Sequence, residues 1–325
     1  MTSFSKDTAA SLAQFINCAY EVALTPVGQK PPTPAKFPAG YSIVAYAQAT
    51  DDFWGDSSPE YYGFVAQSAA ANQIVVAIRG TYFIVEWLID LEVGWTPFAP
   101  IFGSGNVEDG FYSVFSTMQF VDANLQPFNL QNYLGQAIKS NPKTSIIIEG
   151  HSLGGPIASM LALVSVNRNS ALQAPTTVYT FAAPAPGDKT FRDYYDANAP
   201  LTYRVWNILD PVPTALQAFG YYQIAGEGIR IVPTDEQLEG YDFLLVNCNH
   251  SLMTYQWLLN PKWPLESICQ WPFDAASLAE QRQFAARERR SMRDTAETFS
   301  GSFAKFFISQ KLFCNSVFFV FMRIL

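Results

Sequence analysis

A serine hydroxyl is a poor nucleophile until a base takes its proton, and an imidazole is the usual base. Ser152 stands in Gly150-His151-Ser152-Leu153-Gly154, a G-x-S-x-G pattern, with the apolar run 144–149 before it and the helix-length segment 156–168 after it. That strand–turn–helix context is what a nucleophile elbow requires. The turn forces the serine into strained backbone geometry, so positions 150 and 154 must lack side chains, and Gly155 leaves room for the helix to pack closely. The competing reading is a glycine-rich turn with a spectator serine.

The chain has two histidines. His151 precedes the serine on the elbow, where the turn directs it away from the hydroxyl. That leaves His250, in Asn249-His250-Ser251-Leu252, as the base. A lone histidine is more often structural, but elimination and chain order favour catalysis here. The acid that orients the imidazole falls between serine and histidine in hydrolases built on such an elbow. Asp210 follows the strand-like Tyr203-Arg204-Val205-Trp206-Asn207-Ile208 and is fixed by Pro211-Val212-Pro213. Asp188, after the preceding strand, is the rival, and either aspartate could simply cap a loop.

These groups need a scaffold, and the periodicity of the chain supplies one. Residues 5–24 have helical spacing, with Leu12, Phe15, Ile16 and Ala19 on one face. Pro31-Pro32-Thr33-Pro34 breaks the chain. Segments 41–47, 61–69 and 73–79 are rich in β-branched and aromatic residues, and the short spacing of the last two predicts a hairpin near one sheet edge. From Thr144 onward, strands at 144–149, 177–182 and 202–208 alternate with helices, the rhythm of parallel strands with crossover helices. Segments 221–225 and 229–232, joined by Gly226-Glu227-Gly228, read as another hairpin.

With 325 residues and 49% hydrophobic content the chain can bury a sizeable core, and the net charge of −8 argues against nucleic acid as a partner. Residues 1–270 carry 12 basic and 23 acidic side chains, whereas 271–325 carry 8 and 5. That asymmetry divides the chain into a main domain, 1–270, and an Arg-rich helical extension with an apolar tail, 271–325. The run 312–322 is too short to span a bilayer. The plainer reading of the tail is a docked or disordered segment; the alternative is a basic helix with an aromatic end on an anionic membrane surface. Four scattered cysteines and two histidines give no metal-ligand spacing, so neither a metal nor a cofactor is expected. The N-terminal residues lack a basic region followed by an apolar core, which makes an intracellular location with four reduced thiols the default expectation.

The chain resembles the class 3 lipases, the family that includes the filamentous-fungal triacylglycerol lipases. The resemblance rests on Ile78-Arg79-Gly80-Thr81, Gly150-His151-Ser152-Leu153-Gly154-Gly155, Tyr179-Thr180-Phe181-Ala182-Ala183-Pro184, 207–213 and Asn249-His250. It covers about residues 10–265. It implies an α/β-hydrolase fold, a mostly parallel central sheet flanked by helices with a short lid helix. It also implies an oxyanion hole from Thr81 and the Leu153 N–H, and a lid at 82–91 whose apolar stripe includes Ile84, Trp87 and Leu88. A stripe at that spacing is otherwise ordinary core. Some relatives tie the first helix to the segment after the histidine with a disulfide, which here implies Cys18–Cys269. Members often have Gly where Ala182 stands, Arg where Ala185 stands, and a histidine before the Gly110-Phe111 equivalent, where this chain has Glu108-Asp109.

The expected function is hydrolysis of carboxylic esters of acyl glycerols, with a small-molecule or lipid ester as partner, at a lipid–water interface if the lid moves. A non-lipid esterase such as a feruloyl esterase fits the same scaffold. An idle hydrolase fold used for interaction is the reading from another class, and the intact Ser, Asp, His and Thr candidates speak against it.

Overall fold

The computed structural model describes residues 3–50, 58–81, 93–243, 245–266 and 269–270. The segment expected to form the lid, 82–91, and the extension 271–325 lie outside the described residues.

At the centre is β7 (Ser145–His151), whose run of isoleucines is buried on both faces, as a central parallel strand must be. Around it an eight-stranded sheet forms in the order β6-β1-β2-β3-β7-β8-β9-β10. Its other strands are β1 (Ser42–Thr50), β2 (Pro59–Ser68), β3 (Gln73–Ile78), β6 (Gln119–Asp122), β8 (Thr176–Phe181), β9 (Leu201–Asn207) and β10 (Ile229–Ile231). β3, β7, β8, β9 and β10 run parallel, with Ile78 beside Gly150 and His151 beside Phe181. β2 pairs antiparallel with β3 as the short connection predicts, but β1 and β6 lie beyond it, so that hairpin is inside the sheet and not at its edge. A separate ribbon joins β4 (Trp95–Pro97) to β5 (Asn106–Glu108).

The second expected hairpin does not form. Residues 229–231 join the sheet parallel to β9, and 221–225 form no strand. Arg204 explains the difference, because its buried guanidinium donates to the Ile224 and Gly226 carbonyl oxygens at 3.1 and 2.7 Å. Those carbonyls are thereby diverted from strand pairing. Ala225, Gly226 and Gly228 all take positive φ and turn the chain back on the β9 side.

Helices cover both faces. On one side α2 (Asp109–Thr117), α3 (Leu130–Ser140), α4 (Gly154–Arg168) and α5 (Lys189–Asn198) build a core around Ile146, Ile148, Ile157 and Phe191. On the other, α1 (Lys6–Val22) and α9 (Leu252–Leu259) pack over Ile147, Val75 and Ala77. α1 starts where the Ser5 hydroxyl accepts from the Thr8 N–H at 3.2 Å, and it buries Leu12, Phe15, Ile16 and Ala19 as its periodicity predicts. α4 is buried almost all round from Gly154 to Val166, hence the mostly apolar side chains of that stretch.

Helix α2 carries an acid in an unusual place. Glu108 caps it, accepting from the Phe111 N–H at 2.8 Å, yet it is buried. Burial pushes its carboxyl up to about 7, against the opposing pull of the backbone donors. A folded-state value above the unfolded one means that the stability is full below the ordinary carboxylate range and is lost as pH rises to about 7. Glu108→Gln keeps an acceptor for the cap. Urea unfolding at a series of pH values should therefore show a shallower loss of stability between about 4.5 and 7 in the variant than in wild type.

Candidate active site

The C-terminal ends of the parallel strands gather the residues singled out in the sequence, where open α/β sheets place their sites. Ser152 leaves β7 with φ +55°, a left-handed conformation rare for a residue with a side chain. Its N–H donates to the Phe181 carbonyl and its own carbonyl accepts from Gly155, both at 2.9 Å, so the turn is pinned on both sides. A Cβ on Gly150 would run into the Gly154 carbonyl, and one on Gly154 into the carbonyls of Ile78 and Arg79. Those contacts account for glycine at both positions. Ala182 shares the positive φ, at +55°, a conformation that glycine adopts at no steric cost.

His250 ends the short helix α8 (Val246–His250). Its Nδ1 lies 2.9 Å from Asp210 Oδ2, and both side chains are buried. A carboxylate only accepts, so Nδ1 is the donor of this bond. Asp210 Oδ2 also accepts from the Tyr255 hydroxyl at 2.8 Å, and Oδ1 from the Val212 N–H at 3.0 Å. The Tyr255 oxygen in turn accepts from the Asn207 N–H at 2.9 Å. Burial and the nearby Asp210 hold the Tyr255 phenol well above its usual range, so it remains a donor. Neither Ser152 Oγ nor His250 Nε2, both buried, has a hydrogen-bond partner among the described residues.

The loop that carries His250 is fastened from several sides. Asn249 donates to the Phe243 carbonyl at 2.7 Å and accepts from Tyr241 at 3.1 Å, while Asn207 donates to the Asn249 carbonyl at 3.3 Å. A disulfide joins Cys248, two residues before His250, to Cys269. This corrects both cysteine expectations, the Cys18–Cys269 pairing and the four reduced thiols. Residues 269–270 are held by the Asp242 N–H to Cys269 carbonyl bond and the Tyr241–Gln270 bridge, which sets Cys269 beside α8. Cys18, on the buried face of α1, has no disulfide partner among the described residues, and burial pushes its thiol up to about 12.

Thr81 follows β3 through Gly80, and a Cβ on Gly80 would lie 2.7 Å from the Ser152 Cβ, so this peptide faces the elbow directly. Arg79 is buried beneath it, donating to the Gly80 carbonyl at 2.7 Å and the Tyr61 carbonyl at 3.0 Å, and pairing with Glu60. Leu153 is the N-cap of α4, a position whose N–H has no intrahelical acceptor. Ile84, Trp87 and Leu88 lie outside the described residues.

Asp188, the rival acid, is used elsewhere. It caps α5 by accepting from the Phe191 N–H at 2.7 Å, and its other oxygen accepts from the Asn106 backbone and side chain at 3.0 and 2.8 Å. His151 faces away from the serine, but it is more than packing: its Nε2 lies 2.9 Å from the His250 carbonyl and its Nδ1 2.8 Å from the Tyr20 hydroxyl. Tyr20 and Tyr255 were invisible to motif reasoning, since neither stands at a distinctive spacing from the serine or histidine.

Known proteins share parts of this chain's sequence and fold. Residues 75–219 match the family model described as lipase (class 3). Phospholipase A1-II 3 of Oryza sativa subsp. japonica is 31% identical over 185 residues, covering 50% of this chain and 43% of that protein. The secreted mono- and diacylglycerol lipase 1 of Fusarium solani is 27% identical over 165 residues, covering 50% and 46%. The chain thus spans about half the length of the curated relatives it matches. The crystal structure of the lipase from Rhizopus microsporus var. chinensis superposes with a TM-score of 0.54 at 21% identity, covering 71% of this chain and 75% of that one. The fold is that of the α/β-hydrolases.

Two stability measurements check the geometry around His250. Tyr255→Phe leaves the buried Asn207 N–H without its acceptor, and urea unfolding should show a loss of about 1–3 kcal/mol. An unchanged midpoint would contradict the bond. Replacing both Cys248 and Cys269 with alanine opens a loop with a sequence separation of 21. The chain-entropy relation predicts a loss of about 3 kcal/mol for a loop of that size.

Proposed function

Residues 75–219 match the class 3 lipase family model, and on that premise we propose that the chain is a serine carboxylic ester hydrolase acting on acyl glycerols. The observation that carries the reading is the pair of buried atoms Ser152 Oγ and His250 Nε2, both without a hydrogen-bond partner among the described residues, with the imidazole already oriented by Asp210. In this reading Ser152 and His250 are the nucleophile and base, and Asp210 is the orienting acid. Thr81 and Leu153 provide the oxyanion donors. The names of the relatives, a phospholipase A1 and an acylglycerol lipase, support a glycerol ester over an aromatic one.

Ser152 Oγ attacks the ester carbonyl carbon while its proton passes to His250 Nε2. The oxygen of the tetrahedral intermediate becomes an anion and takes hydrogen bonds from the Thr81 and Leu153 donors. The imidazolium formed beside Asp210 gives its proton to the departing glycerol oxygen. A water then repeats the sequence on the acyl-enzyme, releasing the fatty acid and returning the proton to Ser152. Contact with a lipid–water interface is part of the same reading. It is supported by the apolar spacing of Ile84, Trp87 and Leu88 directly after Thr81 and by the basic, aromatic composition of 271–325.

The test is a substrate series with active-site variants. An emulsified acylglycerol should be hydrolysed faster than methyl ferulate, and p-nitrophenyl esters should report chain-length preference. Ser152→Ala should abolish turnover and fluorophosphonate labelling while leaving the melting curve intact. His250→Ala should be about as severe, and the double variant little worse than either. Retained turnover in Ser152→Ala would dismiss the assignment.

Thr81→Val keeps the backbone donor and removes the hydroxyl. Turnover should fall roughly 10²–10³-fold with KM little changed. Unaltered turnover would mean that backbone groups alone serve the oxyanion.

A further inference from the structure

The two halves of the site come from distant parts of the chain: the Gly80–Thr81 peptide after β3 and His250 on α8. Between them runs a line of three polar contacts, partly buried at Tyr20 and fully buried at His151. The Gly80 N–H donates to the Tyr20 hydroxyl oxygen at 2.9 Å. That oxygen lies 2.8 Å from His151 Nδ1, and His151 Nε2 lies 2.9 Å from the His250 carbonyl oxygen.

The directions of these bonds follow from what each group can do. A carbonyl only accepts, so His151 Nε2 carries the ring proton and Nδ1 holds the lone pair. A backbone N–H only donates, so Tyr20 accepts from Gly80, leaving its own O–H to donate to Nδ1. A neutral His151 therefore satisfies all three contacts. Burial, and then the neighbouring His250, hold its imidazole well below the usual histidine range, which keeps it neutral.

Resting on the reading of Ser152, Thr81 and His250 given above, we infer that Tyr20 and His151 are positioning residues whose hydrogen-bonded line sets the spacing between the oxyanion peptide and the base. The line has little slack. A Cβ at Gly80 would lie 2.8 Å from the Tyr20 hydroxyl and 2.7 Å from the His151 carbonyl, so the peptide sits hard against both residues. Tyr20 is itself anchored, because α1 is bound to α9 by Asn17 to Gln256 at 2.6 Å and Gln256 to the Ala10 carbonyl at 2.8 Å. The His151 and His250 rings stand 4.8 Å apart, so a shift of one moves the other. Both the oxyanion donors and the base must meet the same reacting carbonyl, and a misplacement of about 1 Å costs up to roughly 10²-fold in rate.

The experiment compares kcat, KM and the rate of fluorophosphonate labelling on a soluble p-nitrophenyl ester series, using the full chain. Tyr46→Phe serves as the control, since it removes a buried phenol in the same core that bonds the Pro31 carbonyl, away from the line. Tyr20→Phe should lower kcat and the labelling rate by roughly 10–100-fold with KM within about twofold, while Tyr46→Phe leaves both near wild type. A kcat loss no greater than that of Tyr46→Phe, or a change confined to KM, overturns the inference. If Tyr20→Phe does not fold, His151→Gln, which keeps a donor for the His250 carbonyl, is compared with His151→Leu, which does not. Substantially higher kcat in the glutamine variant supports the inference, and equal values overturn it. Ser152→Ala separates the two levels of argument. If it still labels, the reading of the site fails and this inference with it. If it is silent while Tyr20→Phe labels at the wild-type rate, this inference alone fails.

Discussion

Holding a serine at φ +55° between β7 and α4 costs about 1–3 kcal/mol, and that strain persists only where the surroundings leave no alternative. Here they leave none. The Phe181 carbonyl and the Gly155 N–H pin the peptides on either side of Ser152, and glycines at 150 and 154 let the turn close against β3. The rest of the architecture follows from that closure. The buried α4 must consist of small and apolar residues because the turn presses its first residues onto the sheet. The peptide after β3 must carry glycine because the serine side chain stands over it.

Asp210, Tyr255 and His151 are hydrogen-bonded in a connected way, which matters because an unpaired group in a low-dielectric interior is costly. Asp210 takes three donors, Tyr255 shares one oxygen with His250, and His151 links α1 to α8 with both ring nitrogens in use. Glu149, on the same strand as the serine, is the contrast. It is fully buried, neither oxygen has a hydrogen-bond partner among the described residues, and burial holds its carboxyl well above the usual range. It lies on the α1 side near Cys18 and Tyr179, where a neutral acid is the form the core tolerates.

Much of this was readable from residue order. The elbow, the strand that ends before Asp210, and the apolar face of α1 are local patterns, written within a few residues of one another. The errors share a cause, which is that long-range contacts leave no local trace. Segment 221–232 has hairpin composition, but a guanidinium on β9 takes its carbonyls and sends β10 into a parallel pairing. Cys269 pairs with Cys248 because of backbone bonds to Tyr241 and Asp242 that no spacing encodes. The same holds for Tyr20, whose hydroxyl reaches His151 across 131 positions of chain.

The way α1 is tied down also bears on how the chain is made. Its anchors on the α9 side, Asn17 to Gln256, Gln256 to Ala10 and Asn260 to Asp7, span sequence separations of 239 to 253 residues. α1 therefore leaves the ribosome long before the segment that covers it, at sequence separations of 239 to 253. At about 5–20 residues per second, synthesis leaves the apolar face of Leu12, Phe15 and Ile16 without its α9 cover for roughly 10–50 s. The β1–β2–β3 meander, by contrast, closes through near neighbours and can form early. In the nascent chain α1 thus waits for α9, and its uncovered apolar face is the surface a holding chaperone would meet.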